Sequence, residues 1–151
     1  MRISELLSEE TITNTLAHGD KQGIIEDLLD LAMKSGRIKD RDAALKAIID
    51  RENLMSTGLE KGVAIPHAKT IAAEGMAMAL GISKEGLDFQ SADGKLSHFF
   101  FLLVAPSDAA GPNVQVLAQI ARLTASMTFL DGLKQADSPK TAYEMIVKAE
   151  K

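Results

Sequence analysis

The stretch Phe99-Phe100-Phe101-Leu102-Leu103-Val104 decides the fold. It is apolar at every position, so it lacks the alternation of a strand that has one face in water. A continuous apolar run of this length is typical of a central strand that is covered on both faces. It is also far shorter than the roughly 20 residues that a membrane-spanning helix needs. The stretch therefore predicts a buried sheet with helices packed against it.

Helix patterns lie on both sides of this strand along the chain. Asp20 predicts the N-cap of a helix that runs to about Ser35, and Asp40 predicts the cap of a second helix. Beyond the strand, Asn113 is predicted to open a long helix. Ser138-Pro139 combines a cap with a first-turn proline and predicts the last helix. Helices that precede and follow a buried strand indicate an α/β (α+β) protein.

A second strand is predicted from Met76 to Ile82, between Gly75 and Gly86. No long linker and no internal repeat divides the chain, so we predict one domain over residues 1–151. The expected architecture is a three-layer sandwich, in which a mixed central sheet has helices on both faces.

The composition is that of an ordinary globular protein. Of 151 residues, 46% are hydrophobic and 25% are charged. The net charge of −4 argues against a dedicated nucleic-acid binder, which usually carries a basic surplus. Cysteine is absent, and no signal-peptide pattern follows Met1. We therefore expect a cytoplasmic protein with no nucleic-acid partner and no direct membrane insertion.

Several common kinds of catalytic site have no motif in this chain. The glycine-rich phosphate loops and the nucleophile elbow are absent. The three histidines form no His-x-x-x-His pair, so a metal site would need scattered ligands. We predict neither a metal nor a cofactor.

His67 is the strongest catalytic candidate, because the segment Gly62 to Ala68 holds it at a rigid corner. Pro66 keeps Ile65 extended and fixes its own φ, which helps to aim the next side chain. A neutral imidazole is a nucleophile that can form a covalent intermediate. The alternative is a structural histidine that forms a hydrogen bond to a loop. By position, His18 is expected in a loop and His98 at a strand edge, both with structural roles.

Donors suited to a phosphoryl group lie just upstream of His67. Arg51 ends the second predicted helix, and Ser56 and Thr57 begin a loop punctuated by glycines. Charged guanidinium groups, hydroxyls and backbone N–H groups stabilise phosphoryl charge. Each residue also has a simpler explanation: Arg51 can complement the helix dipole, and Ser56 can cap a turn.

The segment Arg51 to His67 resembles the active-site signature of the enzyme IIA domain of the bacterial phosphoenolpyruvate-dependent phosphotransferase system. The type is the fructose/mannitol one, which includes the nitrogen-regulatory IIA proteins. A second block, residues 86–94 together with residues 99–106, and a third, the helix from Val114 to Leu123, resemble the same family in the same order.

The resemblance implies a histidine phosphocarrier and a mixed sheet sandwiched by helices. His67 matches the phosphorylated histidine, Arg51 matches the active-site arginine, and Ser56 and Thr57 match the loop where phosphate donors are expected. The implied donor is an HPr-like phosphocarrier protein, and the implied acceptor is a IIB domain or a regulatory target protein. The sugar, if any, and the oligomeric state stay open.

Two positions depart from the family pattern. Glu60 stands where the family usually has glycine, and its carboxylate can repel phosphate. Asn113 stands where the family often has a second histidine. An asparagine can donate a hydrogen bond to a phosphoryl oxygen but cannot carry a proton, and it can also serve as the N-cap of its helix.

Two other functions stay open from the sequence. One is a regulatory binding module of the nitrogen-regulatory type, which controls partner proteins by its phosphorylation state. The other is a small hydrolase with His67 as its base, for which no paired nucleophile or carboxylate is evident.

Overall fold

The computed structural model describes residues 2–16 and 19–151. In this part of the chain the helices are α1 (Ile3–Leu6), α2 (Lys21–Met33), α3 (Arg41–Leu54), α4 (Ala110–Thr124), α5 (Met127–Lys134) and α6 (Pro139–Ala149). The strands are β1 (Ile12–Thr13), β2 (Val63–Ala64), β3 (His67–Thr70), β4 (Ala77–Leu87) and β5 (Ser97–Pro106). Short 3₁₀ turns occupy Glu9–Thr11 and Glu60–Gly62.

The strands form one mixed sheet in the order β1, β4, β5, β2, and β3 follows β2 along the same edge of β5. β4 and β5 are antiparallel, whereas β1, β2 and β3 each run parallel to their neighbour. β5 is therefore the central strand, as the apolar run predicts. His67 pairs with Leu103, and Thr70 pairs with Pro106 at the end of the strand.

The alternating side chains of β5 divide the interior into two cores. Phe99, Phe101 and Leu103 pack in the core that also holds α4, α5 and α6. Phe100, Leu102 and Val104 pack in the core that holds α2 and α3. An uninterrupted apolar strand is required because both faces are covered. The predicted sandwich of helices on both faces of a mixed sheet is confirmed.

Three of the four predicted helix starts are confirmed by their capping bonds. The side chains of Asp20, Asp40 and Ser138 accept hydrogen bonds from the backbone N–H three residues later. The prediction for Asn113 is wrong. α4 begins at Ala110 after Ala109, and the N–H of Asn113 donates to Ala109 O at 3.0 Å, within the first turn of the helix. Pro112 made the segment before Asn113 look like a loop. Proline is nevertheless tolerated in the first turn of a helix, because the N–H groups there lack intrahelical partners.

β4 is longer than the predicted strand from Met76 to Ile82. It continues to Leu87 across an irregularity in its pairing with β5. Gly86 lies in this irregularity with a φ of +88°, which glycine adopts without the steric cost that a side chain would bring. A bulge of this kind explains why the strand does not end at the glycine.

Glu150, directly after α6, clamps the first helix of the chain. Its carboxylate accepts hydrogen bonds from the backbone N–H groups of Ile3 at 2.6 Å and Ser4 at 3.1 Å, and from the amide of Gln119 at 3.2 Å. Burial by itself raises the pKa of Glu150, but hydrogen bonds from the side chain and backbone of Ser4, the side chain of Gln119 and the backbone of Ile3 outweigh it, so the pKa lies below its usual range.

Across residues 2–16 and 19–151, none of the helices combines the length and the apolar character needed to cross a membrane.

Candidate functional site

His67 is the first residue of β3 and lies half-buried directly after Pro66. The carbonyl of Pro66 accepts the N–H of Leu103 at 3.0 Å, which joins the corner before His67 to the central strand. Residues that pair in a parallel ladder point to the same face of the sheet. His67 therefore faces the α4 side, as Leu103 does.

A hydrogen bond fixes the tautomer of the His67 ring. Its Nδ1 lies 2.7 Å from the carbonyl oxygen of Ile65. A carbonyl oxygen only accepts, so Nδ1 carries the proton and donates it. In the neutral ring Nε2 then carries the lone pair, and it makes no hydrogen bond within the described residues. The ring thus presents one nucleophilic nitrogen in a fixed orientation.

The loop before His67 folds back on the strand that leads to it. The N–H of Leu59 donates to Val63 O at 2.7 Å, and the N–H of Ile65 donates to Thr57 O at 3.1 Å. The carbonyl oxygen of Ile65 also accepts the hydrogen bond from His67 Nδ1. Ile65 therefore joins the loop to the imidazole ring.

Arg51 lies in the last turn of α3, where its Nη1 donates to Met55 O at 3.1 Å. This contact fits the helix-end explanation of the residue. Its other N–H groups have no bonded partner within the described residues, so they are free to bind an anion.

The hydroxyls of Ser56 and Thr57 form internal bonds. Ser56 Oγ donates to Phe89 O at 3.2 Å and accepts the N–H of Gly58 at 3.2 Å. Thr57 is buried, and its Oγ1 donates to Glu52 Oε1 at 2.6 Å. Both side chains therefore support the loop.

Glu52 and Lys21 are part of this site, although sequence reasoning missed them. Glu52 is buried in the last turn of α3, accepts the N–H of Thr57 at 2.9 Å and forms an ion pair with Lys21 Nζ at 2.7 Å. Lys21 Nζ also lies 4.9 Å from the centre of the Phe89 ring. A signal was present, since a lysine in a first turn and a glutamate in a last turn both oppose the helix dipole.

Asn113 is 7% exposed, in the first turn of α4 on the layer that His67 faces. Its Oδ1 is buried and has no hydrogen-bond partner among the described residues. A buried polar atom without a partner is costly and calls for an explanation.

The other departure, Glu60, is exposed and lies in the loop next to Lys61. Lys61 has a φ of +64°, and its Nζ donates to Ala125 O at 3.1 Å at the end of α4. This bond ties the loop to the helix layer that His67 faces.

The remaining histidines differ from His67. His98 lies inside β5, half-buried, and its Nδ1 is 2.9 Å from Ser83 O. His18, expected in a loop, lies outside the described residues. Among the described residues, no group of three His, Cys, Asp or Glu side chains is placed to hold a metal ion.

The family model for "Phosphoenolpyruvate-dependent sugar phosphotransferase system, EIIA 2" matches residues 5–149. This chain belongs to that family, and IIA domains of this system are phosphotransferase components.

The relatives include both sugar-specific and regulatory proteins. The chain is 35% identical to the fructose-specific EIIA component of Haloferax volcanii over 97% of this chain and 95% of that protein. It is 33% identical to the fructose-specific EIIABC component of Bacillus subtilis over its whole length, but it spans only 24% of that protein.

Two solved structures show the same fold. The nitrogen regulatory protein IIA-Ntr of Neisseria meningitidis has a TM-score of 0.83 and 25% identity, over 95% of this chain and 98% of that one. The mannitol IIA protein of Escherichia coli, solved in complex with phosphorylated IIB, has a TM-score of 0.80 at 18% identity, over 94% and 97% of the two chains.

Proposed function

We propose that His67 Nε2 accepts a phosphoryl group from an HPr-like protein and passes it to a IIB domain, in the cytoplasm. The observation that carries this proposal is the position of His67 as the first residue of β3, where the bond from Nδ1 to Ile65 O leaves Nε2 as the nucleophile. Family membership supports the same assignment.

The transfer is balanced without a further reactant. The lone pair of Nε2 forms the new N–P bond while the N–P bond of the donor breaks. A donor ring protonated on its other nitrogen leaves as neutral imidazole, and the proton on Nδ1 of His67 stays in its bond to Ile65. Transfer of this kind needs mainly in-line positioning and charge stabilisation.

Two side chains are proposed to stabilise the phosphoryl oxygens. The unbonded N–H groups of Arg51 are suited to a charge-assisted contact with them. The amide N–H groups of Asn113 can donate a hydrogen bond to them, whereas its buried Oδ1 only accepts and is not satisfied by a phosphoryl oxygen. Ser56 and Thr57 support the site through the loop.

Incubation with phosphoenolpyruvate, enzyme I and HPr tests the proposal. We expect the protein to gain one phosphoryl group that is labile in acid and stable in base. The gain should disappear in His67→Ala, as measured by intact mass and radiolabel. A His67→Ala protein that still takes up the label would contradict the site.

The second candidate function is regulatory, and the nitrogen regulatory relatives favour it. In that case the phosphorylated protein controls a target and does not feed a transporter. Adding a IIB domain to the isolated phosphoprotein separates the two: rapid loss of label to IIB supports the carrier function, and retention supports the regulatory one.

A further inference from the structure

A continuous chain of hydrogen bonds joins a buried ion pair to the His67 ring. Lys21 holds the Glu52 carboxylate at 2.7 Å, and that carboxylate accepts both the N–H and the hydroxyl of Thr57, at 2.9 and 2.6 Å. The carbonyl of Thr57 accepts the N–H of Ile65 at 3.1 Å, and the carbonyl of Ile65 accepts Nδ1 of His67 at 2.7 Å.

Each charge of this ion pair lies at the helix end where the helix dipole disfavours it. Lys21 begins α2, where the dipole favours an anion, and Glu52 lies near the end of α3, where the dipole favours a cation. Glu52 is buried and Lys21 is half-buried, with side-chain exposures of 4% and 19%. The burial of such charges is compensated only by specific bonds, and here those bonds hold the loop at Thr57.

We propose that Glu52, held by Lys21, is a positioning residue for phosphoryl transfer to His67. The inference rests on the proposed function, in which Nε2 is the attacking atom. Glu52 fixes Thr57, Thr57 fixes the backbone of Ile65, and the Ile65 carbonyl sets the tautomer and the direction of the ring.

The same carbonyl stabilises the charge that develops during the reaction. When Nε2 bonds to phosphorus, the ring becomes positive and Nδ1–H becomes a stronger donor. A carbonyl already fixed at 2.7 Å stabilises that charge without reorganisation, which is the most effective form of electrostatic stabilisation. If the loop at Thr57 can move, the Ile65 carbonyl is less fixed and part of this stabilisation of the charged ring is lost.

The test compares Glu52→Gln with Glu150→Gln. Both carboxylates accept hydrogen bonds from backbone N–H and side-chain groups elsewhere in the chain, but Glu150 holds α1 and has no bond to the loop. Two quantities are measured: the initial rate of phosphorylation by HPr, and the ¹⁵N shifts of the His67 ring, which report its tautomer. Lys21→Gln is a milder variant for use if Glu52→Gln fails to fold.

We expect Glu52→Gln to slow phosphorylation about tenfold, below the roughly hundredfold that a 1 Å misplacement can cost. The His67 ring should change from the Nδ1–H form to a mixture of tautomers. Glu150→Gln should change neither quantity.

Three results would overturn the inference. A folded Glu52→Gln protein with the parent rate and the parent ring shifts shows that the ion pair only stabilises the fold. A slow variant with an unchanged ring excludes the route through Ile65, and equal effects in Glu150→Gln show general loosening. If the parent protein is not phosphorylated on His67, the proposed function fails, and the ring shifts alone then decide whether Glu52 orients the imidazole.

Discussion

His67 and His98 are two half-buried imidazoles with the same internal bond and different surroundings. Each donates from Nδ1 to a backbone carbonyl, that of Ile65 at 2.7 Å or that of Ser83 at 2.9 Å. Both rings therefore have the proton on Nδ1. The shared bond means that the tautomer alone does not make a histidine a phosphoryl acceptor.

The difference lies around the rest of the ring. His98 is enclosed by two glycines in the left-handed region. A Cβ on Gly62 would stand 2.9 Å from its Cδ2, and a Cβ on Gly86 would stand 2.9 Å from its Cε1 and 3.2 Å from its Nε2. His98 thus packs against the bulge of β4, whereas His67 begins a strand directly after Pro66.

The strongest test of this comparison is His98→Ala. The variant removes the bond to Ser83 and leaves a gap between the two glycines, so the free energy of unfolding should fall by about 1–3 kcal/mol. Phosphorylation of the folded protein should persist. Urea unfolding followed by circular dichroism measures the first effect, and label uptake measures the second.

The matching variant is His67→Ala, which should lose the label and keep most of its stability. Loss of label in a folded His98→Ala protein would show that the two histidines act together, and the contrast between them would fail.

Arg51→Ala tests whether a charged donor near the end of α3 distinguishes the surroundings of His67 from those of His98. Removal of a charge-assisted donor costs about 1.5–3 kcal/mol in typical cases. The phosphorylation rate should therefore fall at least about tenfold, since about 1.4 kcal/mol corresponds to a factor of ten. The unfolding free energy should change by less than about 1 kcal/mol, the usual contribution of a cation at a helix end.

Arg37→Ala is the control for Arg51→Ala, because Arg37 Nη1 also donates to a backbone carbonyl, that of Met76 at 2.7 Å. It should leave the rate unchanged. A normal rate in Arg51→Ala would assign Arg51 to the helix end alone.

The parts of the fold that local chemistry determines were predictable from the sequence. The apolar run of β5 is a local pattern, and the capping bonds of Asp20 and Asp40 span three residues. The length of β4 was not predictable, because it depends on a bulge against which a histidine from the next strand packs. The start of α4 was hidden because Ala109 has no capping side chain.

The candidate site divides in the same way. His67 could be identified because Pro66 and the adjoining residues define its corner. The partnership of Glu52 with Lys21 could not, since 31 positions separate them and only the packing of α2 against α3 brings them together. Their unfavourable places on the two helices were the one sign in the sequence.

The smallest expected effect concerns Asn113, a buried polar group on the His67 side of the sheet. An amide oxygen without a partner costs stability, and replacement by an apolar side chain of similar shape is neutral or favourable in such cases. Asn113→Leu should therefore raise the free energy of unfolding by up to about 1 kcal/mol while slowing phosphorylation. Urea unfolding and initial rates of label uptake measure the two effects.

The control for Asn113→Leu is Val114→Leu, one residue further along α4, where the side chain is exposed. It should change the unfolding free energy by less than about 0.5 kcal/mol, as surface substitutions usually do. A stabilised Asn113→Leu protein with the parent rate would show that the amide plays no part in binding the phosphoryl group. A destabilised one would show that the amide is satisfied in solution. A more stable but slower variant would mean that Asn113 lowers the stability of the protein and speeds phosphorylation of His67. The residues around His98 show no such opposition between stability and activity.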